Sequence, residues 1–192
     1  MAKTITTEQK IINIIKVLAM YASKDQARYN MRDRFWVKNH QDYISLGSTD
    51  GHRLFYQKIF PSNEVYNFFN NLLIKAGGSE GADECFVANL TTALKLEKLE
   101  DIEMLLVVKK ESNSIDFTRV IPNSSTLDPK IIAEEIFPIL NQAFIMDCIK
   151  TMQLLGVTNF DTRNIFINYD INSNVKFTID CNTCVIIGAI NQ

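Results

Sequence analysis

The 192-residue sequence contains no apolar run near the roughly 18 residues that a membrane span requires. Its most apolar early stretch, Ile11–Leu18, is interrupted by Asn13 and Lys16. The N-terminus also lacks the layout of a secretory signal, so a cytoplasmic chain without a membrane partner is expected. Neither sign of charge is in excess: 20 basic side chains face 22 acidic ones, for a net charge of −2. General electrostatic attachment to nucleic acid is therefore not implied. The four cysteines, Cys85, Cys148, Cys181 and Cys184, are scattered rather than framed, which favours reduced thiols over disulfides. A second cysteine pair is missing as well. Cys181-Asn182-Thr183-Cys184 stands alone, with His40 and His52 distant in sequence, whereas a structural zinc needs four ligands. The pair lies between two expected strands rather than at a helix start, which argues against redox work. No metal or cofactor is expected. The sequence also lacks a nucleophile elbow, a phosphate-cradling glycine loop and a carboxylate cluster. Asp50 and His52 are the nearest approach to a catalytic dyad, and they read more simply as residues that shape a turn. The chain is not expected to be an enzyme.

What is present is enough to build a core: 46% of the residues are hydrophobic, including 12 Phe, in a chain long enough for one large or two small domains. Thr6 or Thr7 can cap a helix that runs from Gln9 to about Ser23. Ile11, Ile12, Ile14, Ile15, Val17, Leu18 and Tyr21 cover most of its circumference, leaving a narrow edge of Lys10, Asn13, Lys16 and Ser23. Strands are expected at Arg34–Lys38 and around a hairpin from Tyr43 to Phe60. A helix should span Glu64–Lys75, a loop Ala76–Asp83, a short strand Cys85–Val87 and a helix Asn89–Leu99. Ile102–Lys109 is almost continuously apolar and reads as a buried strand. After a further short strand at Asp116–Ile121 and a polar linker, Asp128-Pro129 should start a helix that reaches Phe137. Phe144–Leu155 then reads as a helix, and Asn164–Tyr169, Val175–Asp180 and Val185–Ile190 as strands.

The hairpin is the informative stretch. Asp50-Gly51 reads as a two-residue turn, because both positions of such a turn take positive φ and Asp-Gly does so cheaply. The flanking Thr49, His52 and Arg53 are more polar than a bare hairpin needs. Thr49-Asp50-Gly51-His52-Arg53-Leu54, with Arg28-Tyr29 upstream, resembles the hairpin of the bacterial β sliding clamp family, the DNA polymerase III beta subunit. Ile115–Pro122, IDFTRVIP, resembles the segment that closes the family's middle domain, through Asp116, Phe117, Arg119, Val120 and Pro122. Ile115 stands where the family usually has Pro. Ala143–Asn191 is similar to the second half of the family's last domain and ends in the apolar Val185-Ile186-Ile187.

The resemblance implies an α+β fold, with helices on antiparallel sheets in a clamp-like arrangement. One domain would be nearly complete (1–122), followed by a linker and helix (123–142) and a partial C-terminal domain (143–192). It covers no counterpart of the family's first domain. The three matching segments imply a pocket for short Leu- and Phe-containing motifs of polymerases and other replication or repair proteins. Its wall would be Thr49, Gly51, His52, Arg53, Leu54, Arg119, Val120, Val185 and Ile187. Two functional forms follow. The chain is either a processivity factor in DNA replication, oligomerising into a ring around duplex DNA, or a pocket-only adaptor or competitor that does not encircle it. Lys10 and Lys16 would face DNA in the first form, a thin positive track for that task.

Overall fold

The computed structural model describes residues 5–27, 31–78, 81–93, 95, 97–111, 117, 121, 141–157, 166–169 and 174–188. Its first helix, α1 (Thr7–Tyr21), starts at the expected cap, where the Thr6 side chain accepts from the Gln9 amide at 3.2 Å. The isoleucines, Val17 and Leu18 are buried, and Lys10, Asn13 and Lys16 form the more accessible edge. An almost fully apolar helix of this kind belongs between other elements. Here it lies against β1–β3 and touches three other helices.

Eight antiparallel strands make one sheet in the order β5-β4-β1-β2-β3-β8-β7-β6. They are β1 (Arg34–His40), β2 (Tyr43–Thr49), β3 (Arg53–Ile59), β4 (Glu84–Ala88), β5 (Val107–Lys110), β6 (Phe166–Tyr169), β7 (Asn174–Asp180) and β8 (Thr183–Gly188). Side chains alternate across it. Phe55 and Ile59 of β3, with Val185 and Ile187 of β8, face the helices and join the main core. Leu54, Tyr56, Cys184 and Ile186 point to the far face, around Trp36. Phe117 caps that smaller cluster, edge-on to Trp36 with ring centroids 5.5 Å apart. Gly47 makes room for it, since a Cβ there would lie 2.3 Å from the Phe117 ring.

On the helix side, α2 (Tyr66–Gly77) buries Phe69, Leu72 and Leu73 over β1, β4 and β5. The expected Asn89–Leu99 helix and Ile102–Lys109 strand are both redrawn. Among the described residues, helix remains there at α3 (Leu90–Ala93), and α4 (Leu99–Leu105) takes the first half of the apolar run, with β5 keeping the second. Glu100 and Asp101 occupy the first turn of α4, where carboxylates favour a helix N-terminus. Ile102 alone is buried on it, and β5 is an edge strand with Val107 40% exposed. A short apolar run does not distinguish a buried strand from a helix.

Helix α5 (Gln142–Leu154) is capped by Asn141, whose side chain accepts from the Ala143 amide at 2.9 Å. Its last turn is tied to α1 twice: Asn13 Nδ2 donates to the Leu154 carbonyl at 2.8 Å, and the Tyr21 and Thr151 hydroxyls lie 3.0 Å apart. The expected 128–137 helix lies outside the described residues, as does most of Asp116–Ile121. No helix among the described residues is long and apolar enough to cross a membrane.

Candidate functional site

The Thr49–Leu54 hairpin departs from a two-residue turn. Thr49 and Leu54 are the last pair of the β2–β3 register and Arg53 opens β3, so Asp50, Gly51 and His52 make the tip, and of these only Gly51 has positive φ, at 88°. One backbone bond closes the tip, from the Asp50 amide to the Arg53 carbonyl at 3.3 Å, and side chains add to it. Thr49 Oγ1 donates to the Arg53 carbonyl at 2.7 Å and accepts from the Gly51 amide at 3.0 Å. Asp50 Oδ1 accepts from the amides of His52 and Arg53 at 2.9 and 2.8 Å. Asx and hydroxyl turns of this kind reinforce a loop that a single backbone bond closes.

Arg53 is turned inward. Its Nε and Nη2 donate to Asp50 Oδ2 at 2.8 and 2.6 Å, its Nη1 donates to Asp147 Oδ2 on α5, and its Nη2 also reaches the Met20 carbonyl at the end of α1. The guanidinium lies 5.4 Å from the Tyr21 ring centroid and 4.8 Å from that of Phe144. With its side chain only 13% exposed, it joins hairpin, α1 and α5 rather than standing free at a rim. Asp147 is the residue that sequence reasoning missed. It sits among Phe144, Cys148 and Thr151, one helical stripe apart in sequence. An acid on that stripe is the signal that could have found it, because a carboxylate facing inward needs a cation.

The other expected wall residues do not share a groove. Leu54 is buried in the far-face cluster, whereas Val185 and Ile187 are fully buried on the helix side. Strand alternation forces this split, since Leu54 pairs with Ile186 and Arg53 with Ile187. A single apolar groove lined by Leu54, Val185 and Ile187 is thus corrected by the register. Arg119 and Val120 lie outside the described residues. Their neighbour Phe117 packs in the Leu54 cluster.

What opens beside the hairpin tip is a cleft of about 520 Å³. Ala19, Met20 and Ala22 of the end of α1 give it an apolar side, and Asp50, His52 and Arg53 the hairpin side. Lys24, Asp25, Asp147 and Lys150 bring charges of both signs to its rim. His52 is exposed there. The expected DNA-facing residues share one edge of α1, where Lys10 Nζ is paired with Glu64 and Lys16 is half-buried. Lys150 lies 3.6 Å from Asp147.

No group of three or more His, Cys, Asp or Glu among the described residues is arranged to hold a metal ion. The four cysteines are free thiols, three of them buried and Cys181 exposed. Burial pushes the Cys85 and Cys148 thiols up to about 12 and Cys184 to about 11.

No family model matches the sequence, and no curated protein does. Solved structures do. The chain is 14% identical to the DNA polymerase III beta subunit of Thermotoga maritima, with a TM-score of 0.53, over 96% of this chain and 64% of that one. The DNA polymerase sliding clamp from Bacillus subtilis matches with 11% identity and a TM-score of 0.53, over 96% and 63%. DNA polymerase III subunit beta from Borrelia burgdorferi, solved in complex with a natural product, matches with 12% identity and a TM-score of 0.51, over 96% and 63%. The chain thus spans less than two thirds of the length of these structures. Identity this low carries the fold alone: the chain has the α+β fold of the bacterial β sliding clamps.

Proposed function

We propose that the chain is a clamp-type binding module, not an enzyme, that takes a short linear peptide of a DNA polymerase or another replication or repair protein at the hairpin-tip cleft. The observation that carries this reading is the cleft itself, which places an apolar side of Ala19, Met20 and Ala22 next to the polar tip residues His52 and Arg53. A recess with an apolar side and a few fixed polar groups suits a peptide with apolar anchors. Thr49 and Gly51 shape the tip, and Leu54, Val185 and Ile187 support it from within the two cores. Arg119 and Val120 enter the reading through the resemblance. Of the two assembly forms, the ion pairs favour the one that does not encircle DNA, since Lys10 and Lys150 are already matched by Glu64 and Asp147. A ring-forming processivity factor is the alternative, and retention on circular but not linear duplex would mark it.

The test is fluorescence polarisation with a labelled peptide carrying Leu and Phe anchors. Burying two such side chains offers roughly 3–6 kcal/mol before ordering costs, so weak, exchangeable binding in the micromolar range is expected. His52→Ala and Lys150→Glu, both on the rim, should weaken it several-fold without unfolding the chain. A folded protein that ignores the peptide at millimolar concentration sinks the reading. Leu54→Asp is not a clean probe, because Leu54 is a core residue and its loss would report on folding.

A further inference from the structure

At the other end of the same hairpin, the far face of the sheet carries a second constellation that the peptide reading does not use. Register puts His40, Tyr43, Tyr56, Lys58, Cys184, Lys176 and Thr178 on this face, from β1 across to β7. The His40 ring stacks on Tyr43 with centroids 4.5 Å apart and 15° between planes, and Tyr43 meets Phe60 at 5.6 Å. Phe60 is 38% exposed, unusual for so large an apolar ring. Beside these rings a pocket of about 240 Å³ opens between Tyr43, Tyr56, Lys58 and Lys176.

The two lysines are the telling feature. Lys58 Nζ lies 4.9 Å over the Tyr43 ring. Neither Lys58 nor Lys176 forms an ion pair among the described residues, whereas Lys10, Lys38, Arg53 and Lys150 all do. The carboxylate on the pocket rim, Asp180, is engaged in its own turn, accepting from the Asn182 amide at 2.7 Å. Two lysines against one carboxylate leave the pocket lining net positive by one charge, and an anion seated there is attracted by both ammonium groups. A row of accessible rings beside them adds flat apolar surface.

A ligand that uses both features must alternate negative charge with planar rings. Single-stranded nucleic acid does so at every nucleotide. A duplex hides the faces of its bases, and an acidic peptide supplies charge without rings. We propose that this pocket and its ring row bind single-stranded nucleic acid, with Lys58 and Lys176 taking backbone phosphates and the Tyr43–Phe60 side stacking bases. The site is separate from the hairpin-tip cleft, and its occupancy does not depend on the peptide reading.

The test is fluorescence anisotropy of a labelled oligothymidylate of about 12 nucleotides at about 25 mM salt. Binding is expected, with an affinity that falls as salt rises at a log–log slope of about −1.4, the value for two neutralised phosphates on a single strand. Replacing both lysines (Lys58→Gln with Lys176→Gln) should cost at least about tenfold, and Tyr43→Leu a few-fold. Lys75→Gln, on the exposed last turn of α2, should change nothing, and polyglutamate should compete poorly. Circular dichroism of each variant separates loss of binding from loss of fold. Absence of binding by the folded wild type overturns the proposal. Equal affinity for a duplex of the same length, or indifference to the double lysine variant, does the same.

Discussion

Removing the guanidinium of Arg53 would leave Asp50 and Asp147 facing one another without their shared cation. Both carboxylates are mostly shielded, at 16% and 23% exposed, so neither is fully rescued by water. Arg53→Ala should therefore destabilise the chain by about 1–3 kcal/mol, a partly screened version of breaking a buried pair. Arg53→Lys should recover little of this, because one ammonium cannot span two carboxylates and a carbonyl in the same fork. Urea unfolding checks both: the midpoint should fall at constant slope, and an Arg53→Ala midpoint equal to wild type would show that the pairs contribute nothing. The buried thiols make a second residue-scale prediction. Their folded pKa values lie above the about 8.5 of an unfolded cysteine. The unfolded chain therefore loses these protons first as pH rises. Stability should be undiminished below about pH 8.5 and decline steadily towards pH 11–12. At pH 8 one thiol, Cys181, should react quickly with a thiol reagent in the native chain, and four in denaturant. Fast labelling of Cys148 in the native state would contradict its burial.

Among the elements, those with a strong local signal are where the sequence places them. The α1 cap and its apolar circumference, the two arms of the hairpin, and the β7–β8 pair all follow from periodicity and turn chemistry. The Ile102–Lys109 run does not, because its apolar content suits either element and only the neighbouring Glu100 and Asp101, together with the edge position of β5, decide it. The candidate site was legible in part for a related reason. The hairpin tip is local, and its residues do meet a cleft. Which face each flanking strand residue takes is not local: it depends on β8 docking beside β3 with Leu54 opposite Ile186. A shift of one residue would have exchanged Val185 and Ile187 for Ile186. The Trp36–Phe117–Gly47 contact is likewise invisible in sequence, since it joins a β1–β2 partner pair to Phe117 far along the chain.

At the scale of the whole molecule, the sheet does not stop where the sequence suggests a boundary. The β3–β8 ladder joins the hairpin segment to the C-terminal segment, and α1 rests against both the hairpin and α5. A chain cut after residue 122 would expose the edge of β3 together with the apolar surface that Val185 and Ile187 cover. It should lack a cooperative thermal transition, while the full chain should unfold in one step by both far-ultraviolet dichroism and Trp36 fluorescence. A fragment that melts cooperatively near the full-length temperature would instead mark residues 1–122 as an autonomous domain. The same ladder sets a timetable during synthesis. The partner of β3 is made roughly 120 residues later, which at about 5–20 residues per second is roughly 6–24 s on the ribosome. Through that interval the edge of β3 away from β2 waits with its backbone donors and acceptors unclaimed, a nascent edge open to other strands. Slowing translation between the two strands should therefore lower the soluble yield, while speeding it should raise it.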